Sequence, residues 1–99
     1  MKVIINEQHV LLKEQHDQIL NIFGNNWTYM VVPSDGWSID DINNIVGELR
    51  DEDAVVFVSP VPLLLRDLSF ERGFAQASEY PQIWLFVKEN RQSDTWVLV

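Results

Sequence analysis

Two histidines, His9 and His16, carry the side chains whose protons exchange most readily near neutral pH. His9 follows the apolar run "KVII" closely, in "INEQHV", where a strand-to-helix connection is expected. There it can donate to a ligand or serve as an acid or base, and it is the one candidate for a catalytic residue if the chain has any. A loop histidine satisfied by its neighbours is the plainer assignment. Ser34, Asp35 and Ser59 add hydroxyls and a carboxylate, and no spacing joins them to a base as a nucleophile pair. There is no HExxH and no second ligand set at metal spacing, so no metal site is expected. The absence of cysteine excludes a thiolate centre, a disulfide framework and a cysteine nucleophile. Neither G-x-G-x-x-G nor G-x-x-x-x-G-K-[ST] occurs, which leaves dinucleotide and P-loop binding without a motif, and no cofactor is expected.

The elements that carry these residues follow from hydrophobic period and punctuation. "KVIIN" reads as a buried strand, and "LLKEQHDQILNIFG" as a helix with Leu12, Gln15, Ile19, Ile22 and Phe23 on one face, stopped by Gly24. "NNWTYMVVP" is strand-like and ends in the turn "PSDG". Ser38, with Asp41 three residues on, predicts a capped helix with Ile39, Ile42, Ile45, Val46 and Leu49 as its stripe, ending near Arg50. "RDEDAVVFVS" is a third strand, a helix is expected from about Pro62 to Ser78, and "PQIWLFVKE" is a fourth strand. Gly73 makes a break around "FERGF" as admissible as one continuous helix. "NRQSD" turns the chain into "TWVLV". The alternation predicts an α/β fold over residues 1–99: a single Rossmann-like domain, its mainly parallel sheet flanked by helices, with an antiparallel C-terminal strand.

In such a sheet the carboxyl ends of the strands form the ligand edge. Asn6 to His9, Ser34 to Ser38 and the loop Ser59-Pro60-Val61-Pro62 all fall there. Proline at a first helical position sacrifices no needed amide bond, so the remaining amides can face an anion or polar ligand. Trp37, in a turn, can cover such a ligand, while Trp27, Trp84 and Trp96 read as core or interface mass. Glu48, Asp51, Glu52 and Asp53 belong to the opposite edge. Arg66, Arg72, Lys88 and Arg91 put four of the seven basic residues from position 66 onward. The net charge of −8 argues against a duplex nucleic acid partner. No apolar run is long enough for a membrane span and the start lacks a secretory signal, so a cytoplasmic location is expected.

The layout of "IINEQHVLLKEQHDQI", "SPVPLLL" and "YPQIWLFVKENR" resembles the small CRISPR-associated Rossmann-type proteins that bind cyclic oligoadenylates, a group of ring nucleases and non-degrading sponges. Leu12 stands before "KEQ", where that resemblance would place a threonine or serine cap. The resemblance implies a homodimer holding one ring, most simply cyclic tetraadenylate, between equivalent crevices. It implies contacts from Asn6, His9, Ser34, Asp35, Trp37, Ser59, Pro60 and Val61. Sequestration that damps type III CRISPR signalling is the expected role. Metal-independent cleavage of the same ring is the alternative. Two other classes stay open: a small acidic protein-protein inhibitor in phage-host defence, using Glu48 to Asp53 as its contact surface, and a plain structural subunit.

Overall fold

The β-branched and aromatic runs form the strands of the computed structural model, which describes the backbone of residues 1–74 and 81–99 and the side chains of residues 1–70 and 81–99. The elements are β1 (Lys2–Asn6), α1 (Lys13–Phe23), β2 (Thr28–Val32), α2 (Ile39–Leu49), β3 (Ala54–Phe57), α3 (Pro62–Phe74), β4 (Gln82–Lys88) and β5 (Trp96–Leu98). They build one five-stranded sheet in the order β2-β1-β3-β4-β5, parallel except for the antiparallel β4–β5 pair. The fold is therefore the expected α/β, Rossmann-like arrangement. β3 shows why its sequence does not alternate: Ala54, Val55, Val56 and Phe57 are all buried, because helices cover both faces of a central parallel strand.

Strand alternation divides the core in two. Ile4, Val32, Val55 and Phe57 meet Ile42, Ile45 and Leu49 of α2 and Leu64 and Leu68 of α3 on one face. Val3, Val56, Phe86 and Leu98 meet Ile19 of α1 on the other. The α2 cap forms as its spacing predicts: the Asp41 amide donates to Ser38 Oγ at 3.1 Å, and the Ser38 amide donates to Asp41 Oδ2 at 3.0 Å. The α1 start has half of this arrangement, with the Leu12 amide donating to Gln15 Oε1. Gly24 closes α1 at a φ of 72°, a conformation that other residues rarely adopt.

α1 leans toward β5. The Gln18 side chain donates to the Trp96 carbonyl at 2.7 Å and accepts from the Leu98 amide at 3.0 Å, so it occupies two of the outer backbone groups of this edge strand. That tilt corrects the apolar stripe expected of α1: Ile22 is 47% exposed, and Leu12 precedes the helix and is also exposed. Ile39, expected in the α2 stripe, is 69% exposed because it occupies the first helical position, before the helix reaches the sheet. α3 continues through Gly73 to Phe74, and its expected end at Ser78 lies outside the described residues. No helix among the described residues is long and apolar enough to cross a membrane.

Candidate functional site

β1 leads through α1 to one side and β3 leads through α3 to the other, so the sheet order reverses between β1 and β3. Their carboxyl ends are the topological switch point, where open α/β sheets place ligands. The two loops that leave this point are tied together by Ser59. Its Oγ accepts from the Asn6 amide at 2.9 Å and lies 2.5 Å from His9 Nδ1. Ser59 is buried. Since Oγ accepts from the Asn6 amide, its own hydrogen is available to Nδ1 in the tautomer that carries the imidazole proton on Nε2. Asn6 shapes the turn that brings His9 back: its carbonyl accepts from the His9 amide and its Oδ1 from the Gln8 amide, each at 2.9 Å.

A crevice of about 510 Å³ opens beside this pair. Val10, Leu12, Val58, Leu65, Val87 and Trp96 make most of its apolar wall, and His9 and Gln15 supply polar side chains. Lys88 Nζ lies 5.6 Å from the centre of the Trp96 ring, which puts a cation against one wall from outside. A second cavity of about 280 Å³, between the end of β1 and β2, also includes His9, with Asn6, Glu7, Leu11, Tyr29 and Val31. His9 therefore stands between two cavities. Among the described residues no group of three or more histidine, aspartate or glutamate side chains is placed to hold a metal ion.

The residues expected at the ligand edge separate into three sets. Asn6, His9, Ser59 and Pro60 come together around the switch point. Val61 and Trp37 are half-buried and pack on the α2–α3 core, so they support the edge from beneath. Ser34 and Asp35 are exposed in the turn after β2. Trp27, Trp84 and Trp96 pack on the core beneath α1.

Glu7 is the residue that sequence reasoning missed. Its Oε1 accepts from the Ser34 amide at 2.6 Å and its own amide donates to the Val32 carbonyl, which ties the β1 loop to the β2 loop. The only sequence signal was an acidic residue directly after a strand, a signal shared by most surface glutamates. Hydrogen bonds from the Ser34 side chain and then from its backbone lower the Glu7 pKa below the ordinary glutamate value. Because the folded pKa is depressed, the contact is fully present above the unfolded carboxyl pKa and is lost as pH falls through the folded value. In an NMR titration the Ser34 amide should report a midpoint below that of a free glutamate, and Glu7→Gln should abolish the transition. A midpoint at or above the ordinary value would remove Glu7 from the loop connection.

Chemically, the site offers a largely apolar slot, one histidine held by a buried serine, and the first amides of α3. No protein-family model matches the chain, and neither a curated protein nor a solved structure matches it.

Proposed function

We propose that the chain binds a cyclic oligoadenylate, in first place cyclic tetraadenylate, as a homodimer, and sequesters it so that type III CRISPR signalling is damped. The observation that carries this reading is the His9–Ser59 pair beside the crevice at the switch point. The crevice volume falls in the range of small-molecule sites, and its apolar walls suit the face of a purine while His9 and Gln15 can meet ring nitrogens. The crevice takes a nucleoside unit, and the rest of the ring lies over the start of α3. Pro60 and Pro62 have no N–H, so Val61 and Leu63, both half-buried, supply the amides that can meet phosphate oxygens there.

Sequestration is favoured over cleavage by the surroundings of His9. Its Nδ1 partner is a serine hydroxyl, with no carboxylate to orient the ring, and no lysine or arginine lines the crevice among the described residues. In-line attack by a ribose hydroxyl would lack a charged group to stabilise the developing negative charge.

Cyclic oligoadenylates of several sizes should be screened by thermal unfolding. A ring at about 100 times its Kd stabilises by about 2.7 kcal/mol, a rise of roughly 10–20 °C for a domain of this size. Val87→Trp should fill the crevice from the exposed wall of β4 and remove the shift while the unliganded protein melts within a few degrees of wild type. Ring incubated with excess protein and EDTA should be recovered intact after denaturing extraction. The absence of a shift with every ring would overturn the reading. Rapid linear product that disappears in His9→Ala would replace sequestration with cleavage.

A further inference from the structure

We infer that two copies of this chain associate edge to edge, β2 pairing antiparallel with its counterpart about a two-fold axis through Met30, so that the two sheets become one continuous sheet. The proposal starts from the backbone. The Thr28 amide donates to the Met1 carbonyl at 3.2 Å, and the Glu7 amide donates to the Val32 carbonyl at 2.9 Å. With the parallel register of β1 and β2, these bonds turn the backbone groups of Thr28, Met30 and Val32 toward β1. The N–H and C=O groups of Tyr29 and Val31 therefore point away from the sheet.

Only one two-fold register uses all four of these groups. Centred on Met30, Tyr29 of one copy faces Val31 of the other, both pairs are hydrogen-bonded, and Met30 faces Met30 as the non-bonded pair between them. A register centred on Val31 would set Tyr29 against Pro33, which has no N–H. One centred on Tyr29 would set Val31 against Trp27, whose N–H is already donated to the Asn25 carbonyl.

The side chains agree with this register. Because α1 leans toward β5, the α1-side face of β2 is half uncovered: Tyr29 is 48% and Val31 52% exposed. The pairing sets Tyr29 and Val31 against each other across the axis, an aromatic with a β-branched partner. Residues 25–33, "NNWTYMVVP", carry no charge in a chain of net charge −8, so the edge adds no repulsion of its own between like copies. Lys2, bonded to Thr28 at one end of the strand, and Glu7, bonded to Ser34 at the other, exchange ends across the axis, so each end of the shared edge carries one charge of each sign. At the other sheet edge Gln18 already takes the Trp96 carbonyl and the Leu98 amide, two of the outward backbone groups of β5, which makes it the poorer template. Uncharged, apolar edge strands are the natural sites of strand pairing.

This association does not depend on any ligand. Antiparallel pairing points the carboxyl edges of the two halves in opposite directions, so each crevice serves its own ligand and the shared ring implied by the sequence resemblance does not follow from this face. The chain has no cysteine, so Met30→Cys introduces a single thiol. Across the axis its Cα atoms would be about 4.5 Å apart, within the span of a disulfide. Mild oxidation should give a covalent dimer of Met30→Cys. Val31→Cys should stay uncrosslinked, because its counterpart is a diagonal neighbour about 7–8 Å away. By light scattering, wild type should be dimeric at micromolar concentration, and Val31→Pro, which removes an outward N–H and no bond to β1, should be a folded monomer. Tyr29→Lys should give the same loss of dimer if the proline variant does not fold. A monomeric wild type, a dimer indifferent to Val31→Pro and Tyr29→Lys, or crosslinking of Val31→Cys in place of Met30→Cys would overturn the proposal.

Discussion

Alanine in place of Leu64 should lower the unfolding free energy by about 2–5 kcal/mol, the range for truncating a fully buried leucine. In a domain of this length that is a fall in Tm of roughly 10 °C or more. Leu64 has no exposed surface and sits in the first turn of α3, among Ile4, Val55, Phe57 and Leu68. Truncation leaves a cavity at the point where α3 is anchored to the sheet. The next residue, Leu65, lines the crevice, so the loss should reach ligand binding as well as stability. Ile39→Ala is the matched control, because an exposed side chain of similar size should change stability by no more than about 0.5 kcal/mol. Urea unfolding of both variants tests this: equal small losses would show that α3 is not docked as described.

Ser59→Ala should cost about 1–3 kcal/mol, because it leaves the Asn6 amide without its acceptor in a half-buried position. The same change releases His9 Nδ1, so the imidazole should lose its fixed orientation, visible as averaged ring signals by NMR. Ring binding should weaken with it. A drop in stability without any change at His9 would mean that Ser59 only joins the two loops. An arginine at this position is a blunter instrument: Ser59 is 5% exposed, so the long charged side chain would break the loop connection instead of merely filling the crevice.

The elements were legible in the sequence because each carried its own punctuation. "KVIIN" matches β1 over its full length, Gly24 stops α1, and Ser38 with Asp41 caps α2. The exposures of Ile22 and Ile39 were not, since helical periodicity marks an apolar face without saying whether the sheet extends beneath its ends. At the site, the gathering of Asn6, His9 and Ser59 follows from topology, as all three end or follow parallel strands. Their mutual bonds do not, because the partners are 50 and 53 residues apart. Glu7 and Gln18 were invisible for the same reason. Each is a polar residue that acts as a backbone clamp on a distant segment, and local pattern holds no record of that.

The clamp made by Gln18 has a kinetic side. Its two bonds join residues 78 and 80 positions apart, and contacts of such separation slow folding because a long loop must close before they contribute. Ile19, one residue along, waits on Phe86 and Leu98 to complete the same face. The opposite face draws all its buried residues but Ile4, namely Val32, Ile42, Ile45, Leu49, Val55, Phe57, Leu64 and Leu68, from one stretch of the chain. The α2–α3 side can therefore condense first as a nucleus, with the α1 side closing over it afterwards. Truncating Ile42 should then slow folding, whereas truncating Leu98 should chiefly hasten unfolding.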